Sequence, residues 1–238
     1  MNDNSPSTRP VVLLMYALTF TTGIIDAVTI LGLGGIFASL MTGNVVYIGL
    51  GLGGLEDVSP LRSVFALLTF ILGSVAAGAI AKRAVNGRVG PWLLLIGFIE
   101  IILLLGAAWA AWNIGPDGPV NPFSPQVIAA IGLASAAMGL RNSTISRLSI
   151  ADLKVTVLTL AITGLGADLG SGKSESQKQM RRLGSIVLIG SGAAFGAWLF
   201  FLYGVAVPLC LIALIVAVAT IAFSLTAEAK LTPSQLNK

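Results

Sequence analysis

The sequence predicts an all-α, polytopic membrane helix bundle with about six crossings, two Gly-rich broken or re-entrant segments and an internal two-fold repeat. Three observations predict it. Of 238 residues, 55% are hydrophobic and only 10% charged, and the mean hydropathy is +0.92. A soluble domain carries roughly a quarter charged residues, so this chain has too few to cover a water-facing surface. The apolar residues fall in blocks of about the length needed to span hydrocarbon. These blocks do not alternate apolar and polar residues as barrel strands do, and a crossing that is not a closed barrel must be helical to satisfy its backbone.

Eight blocks follow one another. A polar tail, 1–10, precedes the first, 11–33, which is interrupted by Asp26. No small-residue cleavage site precedes a polar mature domain, so this block is expected to stay in the protein. The second, 36–55, is Gly-rich and holds Asn44; the third is 61–81; the fourth, 91–112, carries Glu100. Residues 113–124 contain Gly115, Pro116, Gly118, Pro119 and Pro122, the composition of a turn-rich loop. The fifth block, 125–148, contains Arg141; the sixth, 151–169, is again Gly-rich; the seventh is 183–203 and the eighth 205–226. A polar tail, 228–238, ends the chain. A single membrane domain, 11–227, therefore divides into halves of about 11–112 and 125–227.

The halves resemble each other. Gly23-Ile-Ile-Asp26 matches Gly139-Leu-Arg-Asn142, Leu40-Met-Thr42 matches Val157-Leu-Thr159, and Gly49-Leu-Gly51 matches Gly164-Leu-Gly166, all at offsets of about 116 residues. The Gly-rich segments stand in corresponding places, the usual pointer to discontinuous helices in transporters. Basic residues arbitrate the number of crossings. If both Gly-rich segments return to the side they entered from, and the N-terminus is inside, twelve basic residues lie inside: Arg9, Lys82, Arg83, Arg88, Arg147, Lys154, Lys173, Lys178, Arg181, Arg182, Lys230 and Lys238. Arg62 alone lies outside and Arg141 within the membrane. If all eight segments cross, the division falls to eight against five. Six crossings are preferred and eight are the alternative. Three crossings per half invert the second half; four leave the halves parallel. The basic stretch from Lys173 to Arg182 is expected to be a loop at the cytoplasmic surface, near anionic headgroups.

Intramembrane charges are costly and usually mark a partner or a role. Asp26 suits a cation- or proton-binding carboxylate, and Arg141, one position before its repeat counterpart Asn142, is the expected partner across the two-fold axis. The same arginine could hold an anionic substrate with its planar fork. Glu100, among Phe98, Ile99, Ile101 and Ile102, suits a proton carrier or a hydrogen bond to a neighbouring helix. Thr42 and Asn44 open the second segment, where an Asn amide caps a broken helix or holds a ligand. Spacings such as Gly49-xxx-Gly53 and Gly192-xxx-Gly196 suit close helix packing and allow a homodimer. The glycine runs are not phosphate loops, because no Walker lysine accompanies them.

The stretches Gly23-Ile-Ile-Asp26-Ala27, Gly34-Gly35-Ile-Phe37 and Met41-Thr-Gly-Asn44 resemble the signature of the YoaK-like family of small bacterial multi-pass membrane proteins, as do Gly139-Leu-Arg-Asn142 and Thr156-Val-Leu-Thr159. The resemblance runs from about Met15 to Phe223. It implies a bacterial membrane location and six helices, and supplies no substrate. Family members commonly show Leu-Thr-Gly-Thr where this chain has Leu158-Thr159-Leu160-Ala161, so a site needing glycine at 160 is not preserved.

There is no histidine, so no imidazole base or metal ligand, and Cys210 is alone, so no internal disulfide forms. Neither a catalytic set, a metal cluster nor a cofactor fingerprint is expected. The basic residues sit between apolar blocks and report orientation rather than nucleic-acid binding. The sequence thus points to a secondary transporter or permease of the bacterial cytoplasmic membrane, both termini cytoplasmic, moving a small molecule or a proton through a site built from Asp26, Thr42, Asn44, Glu100, Arg141 and Asn142. The rival is a non-transporting assembly or interaction partner whose intramembrane charges are structural.

Overall fold

The computed structural model describes residues 9–56, 58–84, 87–117, 121, 123–148, 158–171 and 176–232. These residues form eight α-helices: α1 (Arg9–Gly32), α2 (Met41–Leu52), α3 (Pro60–Ala84), α4 (Val89–Ala110), α5 (Pro125–Leu148), α6 (Leu158–Ser171), α7 (Ser176–Tyr203) and α8 (Ala206–Ser224), followed by a 3-10 turn, Glu228–Lys230. At 1.5 Å per residue the six long helices reach about 29–42 Å, whereas α2 and α6 reach only about 18 and 21 Å. Five helices, α1, α3, α4, α7 and α8, are long and apolar enough to cross a bilayer. The sixth long helix, α5, carries Arg141, Asn142, Ser143, Thr144, Ser146 and Arg147 within its last two turns, and it hides much of its surface inside the bundle.

The second block is interrupted: residues 33–40 form an irregular turn and helix begins only at Met41. Gly34 and Gly35 take φ of +83° and +77°, which side chains with a Cβ rarely adopt, and this turns the chain sharply after α1. One sequence expectation is corrected: the basic stretch is not all loop, because α7 begins at Ser176. Lys173 lies outside the described residues, as does the 149–157 approach to α6.

Packing pairs the helices closely. α1 lies along α7 and α3 along α5; α4 packs on both α8 and α5; α1 also touches α8; α2 rests on α3 and α6 on α7. The two tightest crossings have no side-chain layer between their backbones. A Cβ on Gly23 would strike the Ile189 carbonyl, and one on Gly192 the Phe20 carbonyl; a Cβ on Gly139 would strike the Phe70 carbonyl, and one on Gly73 the Ala136 carbonyl. Gly196 likewise seats against Ile24. The expected packing role thus holds for Gly192 and Gly196. It does not hold within the chain for the other pair: Gly49 faces open space, and Gly53 meets only carbonyls of its own turn.

The helix ends sort into two groups. At one end Val205 N–H donates to Ile114 O at 3.1 Å, Gly32 abuts Val205, and Arg62 at the start of α3 reaches Gly34 after α1. Exposed Trp109, Trp112 and Tyr203 stand there, as aromatic residues do at a membrane interface. At the other end Val89 N–H donates to Leu231 O at 2.9 Å, Gly90 meets Ala229, and Arg147 reaches Gly78. The start of the C-terminal tail is therefore packed onto α4. Between the ends, exposed Leu68, Leu72, Val75, Phe98, Ile102, Leu214 and Val218 present the apolar surface a lipid-facing bundle needs.

Candidate functional site

The candidate residues form two separate polar groups. The first is built on the turn between α1 and α2. Asp26, in the last two turns of α1, accepts the Ser39 N–H at 2.9 Å through Oδ1 and the Ser39 hydroxyl through Oδ2. Asn44, fully buried in the first turn of α2, closes a ring with Phe37: Phe37 N–H donates to Oδ1 at 2.9 Å and Nδ2 donates to Phe37 O at 2.7 Å. These bonds give partners to backbone groups that leave regular helix in an apolar setting, where an unmade bond is costly. Asp26 and Asn44 therefore hold the turn that leads into α2. Thr42, in the same first turn of α2, is exposed.

The second group joins Glu100, about halfway along α4, to Arg141 in the last two turns of α5. Arg141 on α5 is 1% exposed, Glu100 on α4 is 3% exposed, and they form an ion pair. Arg141 Nε donates to Glu100 Oε1 at 2.7 Å, while Nη2 lies in ion contact with the same oxygen without hydrogen-bond geometry. Nη1 turns to α1, donating to Thr21 Oγ1 at 2.9 Å, to Leu18 O at 3.3 Å and to Thr22 Oγ1 at 3.4 Å. One guanidinium thus ties three helices. A buried pair gains little net stability over an apolar substitute, but removing one partner strands the other charge.

Beside the pair is a small cavity of ≈20 Å³, bounded by Gly97, Thr144 and Thr220 as well as Glu100 and Arg141. That is room for about one water molecule. Asn142 follows Arg141, is buried, and leaves its Nδ2 without a partner.

The expected Asp26–Arg141 pair is corrected: Arg141 takes Glu100, and Asp26 is occupied by Ser39. The reason is geometric. The repeat places Arg141 opposite Ile25 rather than Asp26, and one residue on a helix turns a side chain by 100°. The carboxylate it meets is delivered by α4, packed directly on α5. The two groups stay close along α1, since Thr22 and Asp26 are one turn, about 6 Å, apart. Thr21, Thr22 and Ser39 were not singled out by the sequence. A threonine in an apolar helix ordinarily bonds its own preceding turn, as Thr22 does to Leu18 O at 2.8 Å, so nothing local distinguishes one that also serves an arginine.

A family model described as a protein of unknown function, DUF1275, matches residues 14–222. The chain belongs to DUF1275. A relative, the UPF0700 transmembrane protein YoaK of Bacillus subtilis (strain 168), is 32% identical over 172 residues, which cover 71% of each chain. The resemblance read from the Asp26 and Met41–Asn44 motifs is thus shown, and so is the membrane character of this DUF1275 chain. No solved structure matches it.

Proposed function

We propose that this DUF1275 chain is a small secondary transporter or permease of the bacterial cytoplasmic membrane, with the Arg141–Glu100 pair and its adjoining cavity as the centre of its site. The observation that carries this reading is a fixed cation–carboxylate pair buried inside the bundle and shared by α1, α4 and α5. The cavity beside it is walled mainly by apolar side chains such as Met15, Ile96 and Ile145, with Thr144 and Thr220 among them. Asp26 and Asn44 contribute by holding the turn before the short helix α2, and Asn142, next in the chain to Arg141, has an Nδ2 without a partner. The small cavity describes a closed state, so a solute larger than water enters only when helices move.

Six crossings, inverted halves and cytoplasmic termini complete the proposal. Exchanging α1–α4 for α5–α8 carries each main helix contact onto another: α1–α7 onto α5–α3, α2–α3 onto α6–α7, α1–α8 onto α5–α4, and α4–α8 onto itself. The glycine crossings follow the same exchange. Gly23 against Ile189 corresponds to Gly139 against Phe70, and Gly192 against Phe20 to Gly73 against Ala136. Gly34 meeting Arg62 favours a non-crossing α2, since eight crossings would put the end of α1 and the start of α3 on opposite faces. Under six crossings a reporter at Gly87 is expected to be cytoplasmic and one at Asp117 periplasmic. An external Gly87 reporter would refute that topology.

The site is tested by thermal stabilisation of the purified protein against a panel of metabolites and ions. Glu100→Gln and Thr144→Val are run alongside; the second alters the cavity wall and leaves the ion pair in place. The expected result is a ligand that stabilises the wild type by about 3–6 °C at tenfold excess over its Kd and either variant less. A ligand that stabilises all three equally would place the site elsewhere. A second reading, a non-transporting assembly partner, is favoured by one observation: Asp26, Glu100 and Arg141 all find partners within the chain.

A further inference from the structure

Arg62 is the one basic residue that the six-crossing topology leaves on the outer side, against the tendency of basic residues to stay inside. It is only 8% exposed, and its Nε and Nη1 are buried without a hydrogen-bond partner. The Phe123 ring centroid lies 5.4 Å from its Cζ, and Gly34, held at positive φ, leaves the space that Nη1 occupies; a Cβ there would collide with it. The guanidinium is therefore packed on an aromatic ring and on bare backbone, while its donors remain unused. Ser63, the next residue, is 1% exposed and its hydroxyl also lacks a partner.

Both residues lie in the first turn of α3, which contains no acidic residue. Ser59 caps this helix start, accepting the Arg62 N–H through its hydroxyl at 3.4 Å and the Ser63 N–H through its carbonyl at 3.2 Å, but the positive end of the helix dipole remains. A cation there is unfavourable, and a buried unpaired cation more so. Burial, dipole and unused donors all favour a negative charge beside Arg62.

We propose that the outer end of α3 is an oxyanion site, taking a phosphate group on the Arg62 fork and the Ser63 hydroxyl, beside the positive end of the helix dipole. Arginine donors match phosphate oxygens in pairs, and helix starts are ready anion sites. Phe123, 54% exposed, is the side chain that moves to admit the group. A free phosphate and an anionic lipid headgroup share this chemistry.

The test compares wild type with Arg62→Gln in two settings. In neutral detergent with chloride alone, Arg62→Gln is expected to melt at or above the wild-type temperature, because it removes an uncompensated buried charge. Inorganic phosphate at tenfold excess over its Kd is then expected to raise the wild-type melting temperature by about 3–6 °C and to leave Arg62→Gln unmoved. If the occupant is a headgroup, that differential shift appears instead on moving from phosphatidylcholine nanodiscs to nanodiscs containing phosphatidylglycerol. Equal shifts in both proteins, or no shift in either setting, would overturn the proposal. So would an Arg62→Gln protein that melts well below the wild type in chloride, since the chain itself would then be using the charge. Asp57 lies outside the described residues, and Asp57→Asn serves as a control. The wild-type phosphate response is expected to survive it, and its loss would assign Arg62 an internal partner.

Discussion

Glu100→Leu is expected to destabilise the bundle by about 3–5 kcal/mol, because it leaves the Arg141 guanidinium buried with only threonine and carbonyl oxygens as partners. In melting temperature that is on the order of 10 °C for a chain of this size. Arg141→Met should cost a similar amount by stranding Glu100. The double variant Glu100→Leu/Arg141→Met should recover most of the loss, since an apolar pair of similar volume replaces an ion pair at little net cost. The coupling between the two substitutions is the quantity to measure, by unfolding of the purified proteins. Additive losses would mean that each residue has a separate partner and that the ion pair does not govern stability. A stable double variant that no longer responds to a stabilising ligand would give the pair a binding role beyond holding the fold.

Gly139→Leu is the second large effect, expected at about 3 kcal/mol, the upper part of the range for overpacking. The added side chain would drive into the Phe70 carbonyl on α3, and backbone cannot step aside as a flexible side chain can. Gly23→Leu should cost about as much, by colliding with the Ile189 carbonyl on α7. Gly190, with nothing within 4 Å of its would-be Cβ, provides the control. Gly190→Ala should fall within about 0.5 kcal/mol of wild type or gain slightly from helix propensity. Equal melting of Gly139→Leu and Gly190→Leu would show that the α3–α5 crossing is looser than described.

The helices were largely legible because lipid asks for one kind of segment, an apolar block of fixed length, and the chain supplies such blocks. The break before α2 was less so. Ile36, Phe37 and Ala38 continue the apolar pattern, and only the Gly34–Gly35 pair signals that the backbone turns. The bonds that hold the turn come from Asp26, thirteen residues before Ser39, and from Asn44, seven after Phe37. Arg141 and Glu100 were each visible as charges in apolar surroundings, but their partnership was not. It depends on which helices are neighbours, and the repeat suggested a different neighbour for Arg141. Arg62 was visible as the lone basic residue on its side, while its burial comes from Gly34 and Phe123, which are distant in the chain.

The glycine crossings also decide how this bundle can deform. Where two backbones touch, there is no layer of side chains in which helices can roll or slide, so α1 is expected to move with α7 and α3 with α5. That leaves two stiff bodies and one seam between them. Arg141 rides on one body and fastens to Thr21 and Leu18 on the other, with Glu100 of α4 steadying it from the side. Arg141 is thus a polar bolt across the seam, and drawing it requires a competitor for the guanidinium: a carboxylate, another anion, or a proton on Glu100. Chemistry at one side chain would then be converted into relative rotation of two helix pairs.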